Sequence, residues 1–234
     1  MSLRAAVPIG AVALALSFVM AGTTGCSQDG GAGDGDPDTV LKAAQDKLDA
    51  TSGVRLQLET PGLPDGVAGV AGADGIATHQ PAFKGEIDIV YSGFTGTVPV
   101  TSVDGTVYAV LPFTLDYAEI DPAEYGAPDP ATLMDPESGV SSWLTAATDM
   151  EKGDQVRDGN DVLTSYDGTL AGSTVAAAIP SADEEAEFDA SFSIDEDGRL
   201  RTASVSGPFY AGEPELTYDI TFTEYGTDEE ISAP

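Results

Sequence analysis

The 234 residues carry nine Lys and Arg against 40 Asp and Glu, a formal charge of −31. A surface of that sign repels nucleic acid and anionic headgroups, which excludes nucleic-acid binding as a function class. With 41% hydrophobic and 21% charged residues the chain can fold around a core, and a single cysteine, Cys26, excludes intrachain disulfides and cysteine metal clusters.

The chain starts with a signal pattern. Arg4 precedes an uncharged run from Ala5 to Gly25, and the small residues Thr24 and Gly25 stand directly before Cys26. A positive start, an apolar stretch and a small-residue cleavage site make a secretory signal over residues 1–25. The cysteine makes it a lipoprotein signal: small neighbours give the acylating enzyme and the peptidase access, although Thr23 replaces the usual Leu. An ordinary cleaved signal with an incidental cysteine is the alternative. Pro8 and Gly10 argue against a retained membrane helix, since they interrupt a run near the minimum of roughly 17 to 20 residues. Residues 26–36 then form a lipidated Cys26 and a flexible Gly- and Asp-rich tether; ten such residues span about 16–19 Å. The expectation is an exported protein held by acyl chains, such as palmitate, at the outer face of the cell membrane.

Residues 37–226 read as one α+β domain, followed by an acidic tail over 227–234. Asp36-Pro37-Asp38 starts a helix whose apolar positions are Val40, Leu41, Ala44 and Leu48, with a stop at Gly53. The period then changes to two. Val54, Leu56 and Leu58 alternate with Arg55, Gln57 and Glu59, a half-buried strand. Residues 61–75 are Gly-rich and read as a loop or a broken strand. Ile87, Ile89 and Tyr91 make a further strand, and Val98 and Val100 another, where Pro99 suggests an edge or a bulge. Asp104-Gly105 is a hairpin turn leading into Val107, Ala109 and Leu111.

Pro112 to Met134 is rich in Pro and Asp and reads as an irregular crossing. Asp135-Pro136-Glu137 reads as a second helix start, with Val140, Trp143, Leu144 and Ala147 on one face. Strands resume at Gln155, turn at Asp158-Gly159 and continue over Val162 to Leu170. A third helix, about residues 171–179, presents Val175, Ala178 and Ile179 and stops at Pro180. Phe188, Ala190, Phe192 and Ile194 alternate with polar residues, Asp197-Gly198 turns the chain, and the last strand carries Leu216, Tyr218, Ile220 and Phe222. Runs of hairpins with helices between them predict a curved antiparallel sheet with helices on one face.

No catalytic constellation emerges. His79 is the only histidine, no nucleophile-elbow motif accompanies it, and there is no HExxH or phosphate loop. Asp158-Gly159-Asn160-Asp161 and Asp195-Glu196-Asp197-Gly198 lack the Glu of a calcium loop, with Thr169 and Ser206 at its place. The expectation is a protein that is not an enzyme and needs no cofactor or metal. From the residues alone, an open apolar interior and an ordinary packed core both remain.

The chain resembles the actinobacterial LppX/LprA/LprF/LprG lipoproteins, with the LprG branch nearest. The resemblance is carried by Asp129-Pro130-Ala131 and Asp135 to Val140, by Asp104 to Ala109 and by Ile179-Pro180. It implies a half-barrel with helices over its concave face and an apolar cavity between. It further implies a carrier that binds di- or triacylated lipids or lipoglycans and moves them across the cell envelope, with a membrane efflux transporter as partner. On that reading the cavity wall comprises Leu56, Leu58, Ile87, Ile89, Val98, Val100, Val140, Leu144, Val175, Ile179, Phe188, Phe192 and Ile220. The competing readings are an anchored accessory or scaffold protein with a solid core, working through a surface partner, and a hydrolase supported only by the abundance of carboxylates.

The anchor is tested by growing cells on labelled palmitate. The wild-type chain is expected to take up label and pellet with membranes, and Cys26→Ser to do neither.

Overall fold

The computed structural model describes residues 35–112 and 114–234; the expected signal, Cys26 and most of the tether lie outside the described residues. The first helix begins where Asp36 accepts a hydrogen bond from the Thr39 amide and Pro37 supplies a preset φ. This helix, α1 (Pro37–Ala50), buries Val40, Leu41, Ala44 and Leu48 as its period requires. Thr51 caps it, and Gly53 opens the first strand instead of stopping the helix. Glycine is needed there because a Cβ would lie 2.9 Å from the Thr227 carbonyl oxygen and 3.0 Å from that of Ala77.

Eleven strands form one antiparallel sheet. The first six are β1 (Gly53–Glu59), β2 (Gly69–Thr78), β3 (Ala82–Tyr91), β4 (Phe94–Val103), β5 (Thr106–Ala109) and β6 (Ala118–Ile120). The other five are β7 (Thr148–Asp158), β8 (Asp161–Ala171), β9 (Glu187–Ile194), β10 (Leu200–Gly207) and β11 (Leu216–Thr223). Their order in space is β6-β5-β4-β3-β2-β1-β11-β10-β9-β8-β7. Two meanders therefore walk in opposite senses and meet at the centre, where Leu56 faces Phe222 and Leu58 faces Ile220. The sheet is curved and unclosed, with β6 and β7 as its two edges.

Several local expectations change in three dimensions. The Gly-rich stretch after β1 contains a ten-residue strand, β2. Its side-chain alternation is hidden because Gly75 and Gly85 face each other across β2 and β3. A Cβ on Gly85 would lie 2.2 Å from the Asp74 carbonyl oxygen, and one on Gly75 would run into the Phe83 ring. Pro99 stands inside β4, but it accepts from the Val110 amide at 3.1 Å just past the end of β5. The donor it lacks is thus spent where the ladder stops. Leu111 lies beyond β5, and β7 starts at Thr148 instead of Gln155.

Residues 121–147 cross the concave face from one sheet edge to the other. Two 3-10 turns, Pro122–Tyr125 and Pro130–Met134, are capped by Asp121 and Asp129, which accept from the amides of Ala123 and Ala131 at 3.0 and 2.9 Å. The second helix, α2 (Val140–Ala146), does not start at Asp135 as expected. Asp135 instead holds a turn, accepting from the amides of Glu137 and Ser138 at 2.9 and 2.8 Å. Both helices that carry the core of this region are short: α2, and α3 (Gly172–Ala178), which follows β8 directly. With α1 they pack on β7–β10, and Trp143, Leu144, Val175, Phe188 and Phe192 are buried among them.

The residues after β11 turn back along the β1 end of the sheet. Gly226 donates to the Gly53 carbonyl, the Ser52 hydroxyl donates to the Thr227 carbonyl, and Lys84 pairs with Glu229 at 3.2 Å.

Burial pushes the Asp135 carboxyl up, but the hydrogen bonds from Ser138 and Glu137 together outweigh it and hold the group below the usual carboxylate range. The turn is thus stabilised by the ionised form. That contribution is present above the unfolded value of about 3.9 and is lost as pH falls through the lower folded value. Asp135→Ala is expected to cost about 1 kcal/mol in urea unfolding at neutral pH, and the gap between the two proteins should close in acid.

Candidate functional site

The helices fill only one half of the concave face. Over β2–β5 the cover is the segment Leu111–Pro130, which has no α-helix and carries Pro112, Pro122, Pro128 and Pro130. Only Ala118–Ile120, as β6, joins the sheet at its edge beside β5; the prolines cannot donate to a ladder, and the stretches that carry them lie outside it. Between it and the sheet is a cavity of about 260 Å³.

The floor of the cavity follows from strand register. Ile87, Ile89 and Tyr91 of β3 share a face, and Ile87 stands opposite Val98. Val100 stands opposite Ala109 on one side and Gly85 on the other, and Ile89 stands opposite Gly96. Small residues beside the branched ones leave space that larger side chains would fill. Val70 of β2 and Val107 of β5 complete this wall, and Leu111, Ile120, Pro122, Tyr125, Pro128 and Pro130 form the opposite one. At the β3–β4 tip, Tyr91, Ser92 and Phe94 border the cavity, and the Tyr91 and Tyr125 rings meet with centroids 5.1 Å apart. Tyr91 is 39% exposed, so the cavity reaches solvent at this end.

A smaller void of about 40 Å³ adjoins, sharing Val70, Ile87, Pro128 and Pro130 and adding Leu58, Leu133 and Ile179. Its polar edge is closed. The Tyr218 hydroxyl donates to the Val70 carbonyl at 2.8 Å and lies 3.2 Å from the Tyr210 hydroxyl. Burial, reinforced by Tyr210, pushes the Tyr218 phenol far up, so it stays a protonated donor.

The thirteen expected wall residues separate between these places. Ile87, Ile89, Val98 and Val100 border the larger cavity; Leu58 and Ile179, with Ile87 again, border the smaller void. Leu56, Val140, Leu144, Val175, Phe188, Phe192 and Ile220 are packed in the core at 2% exposure or less, away from both. Strand and helix periods give the buried face but not which part of it is covered by helices. The wall contributed by residues 111–130 has no period at all; its only sequence signal is proline recurring among apolar residues.

The cavity lining contains no ionisable acid or base other than two tyrosines. Its polar groups are the Ser92 hydroxyl and the phenols of Tyr91 and Tyr125. His79 follows the end of β2 remote from Gly69 and Val70, with Nε2 2.7 Å from the Leu48 carbonyl oxygen. Among the described residues no group of His, Cys, Asp and Glu could hold a metal ion, and no helix is long and apolar enough to cross a membrane. What the site can do chemically is remove apolar surface from water.

Comparison with known proteins gives the same architecture. The family model described as LppX_LprAFG lipoprotein matches residues 36–233. The crystal structure of LprF from Mycobacterium bovis superposes with a TM-score of 0.69 at 14% identity, covering 85% of this chain and 96% of that one. Lipoprotein LppX from Mycobacterium tuberculosis gives 0.62 at 20% identity, covering 85% and 100%. At these identities the likeness shows the fold. No match was found among curated proteins.

Ile87 borders both voids, so Ile87→Trp is expected to fill them. The variant should stay folded, losing no more than about 3 kcal/mol from overpacking, and should bind a neutral apolar dye at least tenfold more weakly than wild type.

Proposed function

The chain belongs to the LppX_LprAFG lipoprotein family, and from that premise we propose that it binds acylated lipid in the cavity under residues 111–130 and carries it across the cell envelope. The observation that carries this reading is the lining: an apolar, almost wholly uncharged enclosure with an opening at the β3–β4 tip. Each methylene moved into such a site gains about 0.8 kcal/mol over water. A bilayer offers the same, so the exchange of a chain between bilayer and protein is near balance. A carrier needs that balance, since it must both load and release.

Size bears on the cargo. Pockets that enclose drug-sized ligands run from about 300 to 1,000 Å³, and this cavity, at about 260 Å³, has the room of one chain or part of one. A di- or triacylated lipid needs more, and the adjoining void behind Val70 and Ile87 is the nearest source of it. Lipoglycans and other glycolipids fit if the sugar stays outside the β3–β4 tip.

The remaining parts follow the same proposal. Residues 1–25 are removed as a signal, acylated Cys26 holds the protein to the outer face of the cell membrane, and residues 26–36 tether the domain of residues 37–226, with 227–234 as its acidic tail. On this proposal the chain works as the LprG branch of the family does, with a membrane efflux transporter as its partner. A carrier of this kind has no reaction to catalyse. The solid packing of the β7–β10 half favours a second reading, an anchored accessory protein that works through its surface.

Native mass spectrometry of the protein from an actinobacterial host separates the two. The carrier reading expects co-purified acylated lipid in stoichiometric amount. A protein that carries none, and gains no mass on incubation with mono-, di- and triacylated lipids, would fit the accessory reading instead.

A further inference from the structure

The segments that line the cavity carry no basic side chain, and Lys84, Arg55 and Arg201 are engaged elsewhere. Every charged side chain between Lys84 and Lys152 is an acid, and all the lining residues of the larger cavity fall in 69–70 and 87–130. Lys84 is on β3, seven residues and about 23 Å from Tyr91 at the opening, and it pairs with Glu229. Arg55 is engaged by Asp74, and Arg201 by Asp161 and Asp195. Over such distances an ionic atmosphere with a Debye length of about 8 Å screens them from the opening. The segment that covers the cavity, by contrast, has acids as its charged side chains: exposed Glu124 precedes Tyr125, whose ring meets that of Tyr91, and exposed Asp116 lies between the lining residues Pro112 and Ile120.

We infer that the cavity selects lipids with uncharged headgroups and rejects anionic ones. This rests on the lipid-binding reading above and adds the class of headgroup. A phosphate or carboxylate at the opening would find no basic side chain on residues 85–151 to compensate the desolvation of its charge, and Glu124 beside Tyr125 would add repulsion. A glycerol or sugar headgroup carries no such penalty and can hydrogen-bond with the hydroxyls of Ser92, Tyr91 and Tyr125. Chain burial supplies the affinity in both cases, so the headgroup charge decides between lipids of equal chain length.

The test uses monopalmitoylglycerol and its phosphate, lysophosphatidic acid, which share chain and glycerol and differ in the charged group. Each is titrated, below its aggregation point, against the full chain carrying Cys26→Ser, with displacement of a neutral apolar dye as readout. The uncharged lipid is expected to bind at least about tenfold tighter at low salt, equivalent to about 1.4 kcal/mol. The gap should narrow between about 0.01 M and about 1 M salt, as the Debye length falls from roughly 30 to 3 Å. Glu124→Lys with Asp116→Lys, two exposed positions, should narrow it at low salt without weakening the uncharged lipid. Equal binding of both lipids, or tighter binding of the phosphate, overturns the charge selection and leaves the carrier intact. Displacement by neither lipid overturns the carrier reading and the selection with it.

Discussion

The pairing of β1 with β11 is the contact on which the rest of the structure depends. It joins strands from the two ends of the domain, with Leu56 against Phe222 and Leu58 against Ile220. Each other neighbour pair in the sheet is consecutive along the chain. Remove the central pair and two separate meanders remain, each with a bare edge and half a core. Closing so long a loop is costly in chain entropy and slow, and it is compensated only when both apolar faces are buried together. The residues after β11 reinforce the joint, since Gly226 and Thr227 bond back to the start of β1.

Once the terminal strands hold the centre, the two edges β6 and β7 are as far apart as the sheet allows, and the chain between them has to cross the concave face. That crossing decides where the protein is solid and where it is open. Its second part becomes α2, which packs with α1 and α3 and leaves no room beneath Trp143 and Leu144. Its first part has the prolines and the two 3-10 turns and covers the cavity over β3–β5. The cavity therefore lies under the proline-rich, 3-10 part of the crossing, and the packed core under its α-helical part.

Charge follows the same division. Arg55, Lys84 and Arg201 are engaged in ion pairs away from the β3–β4 tip, and the polar side chains that border the cavity there are hydroxyls. With a formal charge of −31, long-range repulsion of anions is a property of the whole surface, but a local cation can always override it over a few ångströms. Here the segments that border the cavity contain none.

The sequence by itself determined the class of fold and much of its parts list. Alternation at Val54-Leu56-Leu58 and Phe188-Phe192, the turn at Asp104-Gly105, and the helix start at Asp36 are local chemistry, and local chemistry can be read along a chain. Two kinds of feature were not legible. Strand β2 was obscured because Gly75 and Gly85 serve close backbone approach instead of side-chain alternation. The place of the cavity was decided only by tertiary structure. Ile87 and Phe192 look alike as apolar residues on alternating strands, yet Ile87 borders the cavity and Phe192 lies in the packed core. Periodicity tells a residue which face it occupies; what covers that face depends on segments far away in the chain.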